Sequence, residues 1–167
     1  MAQAEVDRVY LVRHGRTALN ADGRLRGLSD PPLDDVGRAE VDRLAVELAP
    51  FNPTVVITSP LQRAVSTANA IGTAAGIAVM IDNRLNDRDY GPWTGQPRNE
   101  VERRFGSVDN APGVEPVDAV AARALTAWTE LTAEYTDGPL VLVSHDAFNT
   151  ALLKRLDPTV GEVAQRT

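Results

Sequence analysis

The sequence predicts an α/β fold built on a mostly parallel central sheet. Three observations carry this. Short β-branched runs alternate along the chain with longer stretches of helical periodicity, the rhythm of strand–helix–strand units. The short runs are apolar throughout instead of alternating, as in strands covered on both faces. Some of the stretches between them also open on capping residues and stop at glycines.

In chain order, residues 9–12 form the first strand. A helix follows over 36–48, with apolar positions at Val41, Leu44, Ala45 and Leu48 and with Asp34 or Asp35 near its start. Val55–Thr58 is the second strand. The segment "SPLQRAVSTANAIGTAAG" then reads as a helix with Ser59 as N-cap, Pro60 at the first helical position and a stop at Gly72 or Gly76. Residues 77–81 give a third strand, 116–135 a long Ala-rich helix, 140–143 a fourth strand and 147–156 a last helix. Residues 82–115 break the rhythm. "DNRLNDRDYGPWTGQPRNE" and "GSVDNAPGVEP" are too rich in Gly, Pro, Asn and Asp for one regular element. They are expected to be an insertion folding over one edge of the sheet, covering the substrate. No repeat or linker divides the chain, so residues 1–167 are expected to be a single domain.

Composition narrows the function. A chain of 167 residues, 43% hydrophobic, supports one sizeable core. Its net charge of -6 and lack of a basic run argue against nucleic acid as a partner. Without cysteine there is no disulfide scaffold, thiolate metal site or cysteine nucleophile. No apolar run reaches the roughly 18 residues of a membrane span. "MAQAEVDRVY" lacks the pattern of an export signal, so a cytoplasmic protein with no membrane partner is expected. Positive charge is almost all arginine, Lys154 being the only lysine, and arginine suits two-point contact with phosphate or carboxylate.

The two histidines are the sharpest signal. His14 closes "VYLVRH" and His145 closes "LVLVSH". In a parallel sheet both emerge at the carboxyl edge, where open α/β folds bind ligands. One histidine after a strand is more often a hydrogen-bonded structural residue, but two of two at equivalent positions call for a common purpose. Arg13 and Arg16 flank His14, and Arg63 starts a helix that reaches the same edge. Such crowding of positive charge disfavours a protonated histidine and suits a strongly negative ligand.

Together these residues resemble the histidine phosphatase superfamily, the group of the cofactor-dependent phosphoglycerate mutases and many small phosphatases. "RHGRTALNADGRLRGLSDPPLDDVGR" is similar to the family's opening signature, "TSPLQRAVSTA" to its second arginine motif and "LVLVSH" to its second histidine motif. The likeness covers roughly residues 8–156 and matches the family's first branch in layout. It implies a three-layer α/β/α sandwich of the phosphoglycerate mutase type. His14 would attack phosphorus and become a phosphohistidine, with Arg13, Arg63 and His145 clamping the transferring group. Thr17 and Asn20 would add hydrogen bonds from the adjoining loop. No metal or cofactor is implied.

Departures from the family pattern carry information too. Arg16 stands where the family commonly has Glu, suggesting either a second anionic group on the substrate or a solvated side chain. Arg26 replaces a frequent glutamine. In "RLNDRDYGPWTG" Asp87 occupies the position of the family's proton-donating glutamate, one methylene shorter and with a reference pKa about 0.4 unit lower. Asp146, directly after His145, sits where the acid phosphatase and phytase branch places its acid. Asp87 is preferred, and Asp146 is then an N-cap for the last helix or a substrate contact. Family members often run on into a further strand where this sequence ends in "DPTVGEVAQRT".

The resulting expectation is a phosphatase that hydrolyses a phosphomonoester through a phosphohistidine, acting on a phosphorylated small molecule or a phosphoprotein. The alternatives are a phosphoglycerate-type mutase, against which the short chain argues, and a phospho-ligand binding module with weak turnover.

Overall fold

Strands β2 (Val55–Thr58) and β4 (Leu140–Ser144) lie side by side at the centre of the sheet in the computed structural model, which describes Val6 and residues 8–159. Strand β1 (Val9–Arg13) pairs with the far side of β4, and β3 (Val79–Ile81) with the far side of β2. The order is β1-β4-β2-β3, and every pairing is parallel. Parallel neighbours need a crossover, so helices are forced onto the faces of the sheet.

Strand periodicity sorts the core into two halves. Val55, Ile57, Leu140 and Leu142 face one way and pack against Ala124, Ala127 and Leu131 of α5 (Val117–Glu134) and Phe148 and Leu152 of α6 (Asp146–Leu156). The intervening Val56, Val141 and Val143 face the other way with Val12. They meet Ala45 and Leu48 of α2 (Asp35–Leu48) and Ala64, Ala68 and Ile71 of α3 (Gln62–Ala75). This is the three-layer α/β/α sandwich that the sequence predicts.

The central strands are covered on both faces, but the outer ones are not. Met80 and Ile81 of β3 are 46% and 60% exposed, and β1 is only half-buried except at Val12. Apolar composition cannot distinguish an edge strand from a central one. Strand β3 also starts at Val79, two residues later than the apolar run at 77. Helix α2 is capped by Asp34, whose carboxylate accepts from Gly37 N at 2.7 Å. Helix α3 ends at Gly76 in the left-handed region (φ 67°) but begins only at Gln62, with Leu61 at the cap position. Ser59 is therefore not its N-cap. Asp146 is not a cap either: His145 holds that position, and Asp146 is the first residue of α6.

Residues 82–115 contain three 3-10 turns (Asn83–Leu85, Gly91–Trp93 and Val108–Asn110) and helix α4 (Arg98–Phe105). They form a small apolar cluster of Tyr90, Val101, Val108 and Ala111 around Leu25. Antiparallel hydrogen bonds tie them to the loop after α1 (Ala18–Ala21): Leu25 N to Gln96 O, Gly95 N to Leu25 O and Arg98 N to Gly23 O. Most of the opening "MAQAEVD" and of the closing "DPTVGEVAQRT" lies outside the described residues.

Two glycines fix where the loop after β1 runs. A Cβ on Gly37 would lie 2.0 Å from Arg16 O, and one on Gly15 would lie 2.7 Å from Gly37 O. The first turn of α2 thus touches the backbone that follows His14. Gly37→Ala must push that loop outward, and the expected loss is about 3 kcal/mol, the upper range for overpacking against an unyielding neighbour. Urea unfolding of the variant checks it, with activity falling alongside stability.

Candidate active site

The carboxyl ends of β1, β4 and β2 deliver His14, His145 and Ser59 to one edge of the sheet. His14 is buried, and its Nδ1 lies 2.7 Å from Gly15 O. A carbonyl can only accept, so Nδ1 carries the proton and the lone pair sits on Nε2. That lone pair accepts from Arg63 Nε at 3.3 Å. The imidazole pKa is held well below its usual value by burial, then by the charge of Arg63, and further by Arg26 and Arg13, against the opposing hydrogen bond to Gly15 O. A neutral imidazole with an unprotonated Nε2 has the form a nucleophile needs. The loop is braced by Gly15 N donating to Thr67 Oγ1 at 3.1 Å.

Arg63, in the first turn of α3, is completely buried. Besides His14, its guanidinium donates to Ser29 O (2.8 Å), Gly27 O (2.9 Å) and Asp87 Oδ2 (3.0 Å). Asp87 is 3% exposed, and its other oxygen accepts from Arg88 N at 2.8 Å. Burial raises its pKa although Arg63, Arg26 and the Arg88 N–H favour the charged form. A carboxyl so placed can hold a proton to donate. His145 shares a hydrogen with Ser59 Oγ through Nε2 at 2.7 Å. Its Nδ1 faces Asp87 Oδ2 at 3.6 Å without a hydrogen-bond partner among the described residues. Burial, then the neighbouring His14, Arg63, Arg26 and Arg123, push its pKa well down. The two imidazole rings stand 5.0 Å apart.

The structure thus gathers His14, Arg63, His145 and Asp87 into one buried cluster. Arg13, the last residue of β1, lines a cavity of about 600 Å³ beside His14. The remaining sequence candidates are placed differently. Thr17 is fully buried and spent with Asn20 in a reciprocal cap of α1, Thr17 Oγ1 donating to Asn20 Oδ1 at 2.9 Å. Arg16 turns to Asp34, Nε to Oδ2 at 2.8 Å, although it lines the same cavity as His14. Asp146 is half-buried at the start of α6, and no side-chain hydrogen bond or ion pair is formed by it among the described residues.

Three further residues belong to the site but carry no local sequence signal for it. Arg123, on α5, donates to the carbonyls of Arg84 (3.1 Å), Asn86 (2.7 Å) and Asp87 (2.9 Å) and forks onto Glu115 at 2.9 and 3.2 Å. It holds the segment bearing Asp87, with help from Ser144 Oγ, which donates to Leu85 O at 2.7 Å. Ser59 orients His145. Arg26 has a buried Nε without a partner among the described residues, and its charge acts on His14, His145 and Asp87 alike. Only tertiary contacts reveal the Arg123–Glu115 fork, since a separation of eight positions matches no helical pairing rule.

The sequence pattern of the Histidine phosphatase superfamily (branch 1) matches residues 9–163. A glucosyl-3-phosphoglycerate phosphatase from Mycolicibacterium vanbaalenii is 36% identical over 168 residues, covering 90% of this chain and 74% of that protein. The solved structure of a mycobacterial glucosyl-3-phosphoglycerate phosphatase in complex with VO3 superposes with a TM-score of 0.81 at 31% identity, over 90% of this chain and 81% of the other. A phosphoglycerate mutase from Bacillus anthracis shares the fold, with a TM-score of 0.84 at 21% identity, over 94% and 82% of the two chains.

The buried neutral histidines set a pH dependence of stability. Their folded pKa values lie below that of an unfolded histidine, so the unfolded chain takes up protons first as pH falls through about 6.5. Each then removes up to about 1.4 kcal/mol per pH unit until its folded pKa is reached. Asp87, raised on folding, acts in the opposite sense above about pH 4 but is one group against two. Stability measured by urea unfolding should therefore fall between pH 6.5 and 5. His145→Gln should flatten that slope.

Proposed function

Since this chain belongs to branch 1 of the histidine phosphatase superfamily, and is a phosphatase acting on phosphomonoesters, we propose that it works through a phosphohistidine on His14. The observation that supports this best is the locked tautomer. Gly15 O fixes the proton on Nδ1, and the Nε2 lone pair points into a cluster of guanidinium groups.

The substrate phosphoryl group settles among Arg13, Arg63 and Arg26, with His145 facing it from β4. The catalytic work there is chiefly positioning and stabilisation of charge on the three equatorial oxygens. Nε2 forms a bond to phosphorus as the ester P–O bond breaks, and Asp87 gives its proton to the departing alkoxide. The Nδ1–H bond to Gly15 O stabilises the phosphoimidazolium that results. A water then attacks phosphorus, Asp87 takes back a proton, and orthophosphate leaves with the histidine neutral again. His145 stays neutral until the anion arrives, and the positive potential serves the substrate instead of being spent on its own protonation. Residues 82–115 act as the cover over the leaving group. The substrate is the phosphomonoester of a small alcohol, in keeping with the phosphatases among the relatives.

His14→Ala should lower activity on the order of 10⁴-fold or more, the scale of losing a covalent nucleophile. Rapid quenching of the wild type with radiolabelled substrate should trap an acid-labile, base-stable phosphoenzyme. Retained turnover in the variant, or an acid-stable adduct, rules the phosphohistidine out.

The acid is tested by leaving group. Asp87→Ala should cost about 10²–10⁴-fold on alkyl phosphates and far less on p-nitrophenyl phosphate, whose phenolate departs without a proton. Asp146→Ala should treat both substrates alike. The reverse pattern transfers the acid role to Asp146. Arg123→Met should reproduce a weaker version of the Asp87 pattern, because it loosens the carbonyls on which Asp87 is held.

A further inference from the structure

Asp87 forms part of the wall of a second cavity, of about 610 Å³, on the side of the site made by residues 82–116. We propose that this cavity receives the leaving alcohol and selects for uncharged, hydroxyl-bearing or cationic groups against those carrying a second anion. The inference rests on the phosphatase reading and extends it to the class of substrate.

Position comes first. A general acid must lie within hydrogen-bond reach of the oxygen it protonates, so the leaving group occupies space that Asp87 borders. Charge comes second. Asp89 and Glu115 line this cavity with Asp87, together with the neutral amides of Asn83 and Asn86. The only cation on its wall among the described residues is Arg123. Its Nε, Nη1 and Nη2 are all committed to Glu115 and to the carbonyls of Arg84, Asn86 and Asp87. No free fork is left to bind a carboxylate or a second phosphate. Glu115 is held ionised: burial opposes its charge, but the Arg123 fork, the Asp89 N–H and Arg88 together keep its pKa below the usual range.

Elsewhere the arginines offer no substitute. Arg16, which from sequence suggested a second anionic group, pairs with Asp34 and borders the other cavity, on the α2 side of His14. Arg84 is held by Asp82 and Glu130. Arg88 pairs with Asp109 and donates to Glu115 O, while its Nη2 is buried without a partner among the described residues. Neither lines this cavity. An anionic leaving group would meet the exposed carboxylate of Asp89 beside Glu115, and like charges repel. A sugar or polyol would instead find carboxylates and amides as acceptors for its hydroxyls. An amine would find a net negative field.

The test compares kcat/KM for glycerol 3-phosphate, phosphoethanolamine and 3-phosphoglycerate, each referred to p-nitrophenyl phosphate turnover by the same preparation. The neutral and cationic substrates should exceed the carboxylate by at least 10-fold. Asp89→Asn, which keeps the oxygen that accepts from Gly91 N, should narrow that gap several-fold. Raising salt from 0.02 to about 0.5 M should narrow it in the wild type, since screening weakens exposed charges. Turnover of 3-phosphoglycerate equal to or above that of glycerol 3-phosphate overturns the proposal, as does a gap that neither Asp89→Asn nor salt changes. No turnover of p-nitrophenyl phosphate, with folded protein, is a different failure: it overturns the phosphatase reading itself.

Discussion

Everything at the site hangs on the burial of one guanidinium. Arg63 is wholly removed from water, and leaving such a charge without partners would cost several kcal/mol. The fold meets that cost with four acceptors from three separate segments: His14, the 27–29 loop and Asp87. Each acceptor is located by the charge it satisfies. Arg63 therefore works as a junction, setting the spacing between Nε2 of His14 and the carboxyl of Asp87.

How much of this was legible in the chain depends on whether the signal is local. "VYLVRH" and "LVLVSH" predict two strands ending in histidine, and the structure pairs those strands register for register, Arg13 opposite Ser144. Gly15 and Gly37 stand in the motif because two backbones come too close for a Cβ. Local periodicity found the main helices for the same reason, since their apolar faces are written at helical spacing. What failed were features decided by neighbours distant in sequence. Nothing in "IAVMI" says that β3 is at the edge, with one side open. Ser59 has the chemistry of a cap but is placed to hold His145, and Asp146 loses the cap position to the histidine before it. The fork of Arg123 on Glu115 was invisible because only the folded 82–115 segment brings it to Asp87.

The charge balance has a similar logic. A chain of net charge -6 builds a site of converging arginines, and many of its other arginines are neutralised pairwise: Arg16 with Asp34, Arg84 with Asp82 and Glu130, Arg88 with Asp109. These pairings leave Arg16, Arg84 and Arg88 less positive field to offer an anion. Exposed pairs of this kind add little to stability.

Strand β1 has only β4 as a described neighbour, and β4 is the last of the described strands in chain order. During synthesis the first strand therefore waits, unpaired, while the 126 residues between Arg13 and Leu140 emerge. Pairing across such a sequence separation is entropically slow. An amino-terminal fragment shorter than 145 residues lacks His145, and with it one of the two histidines of the site. Insertion of β4 between β1 and β2 and assembly of the site become the same event.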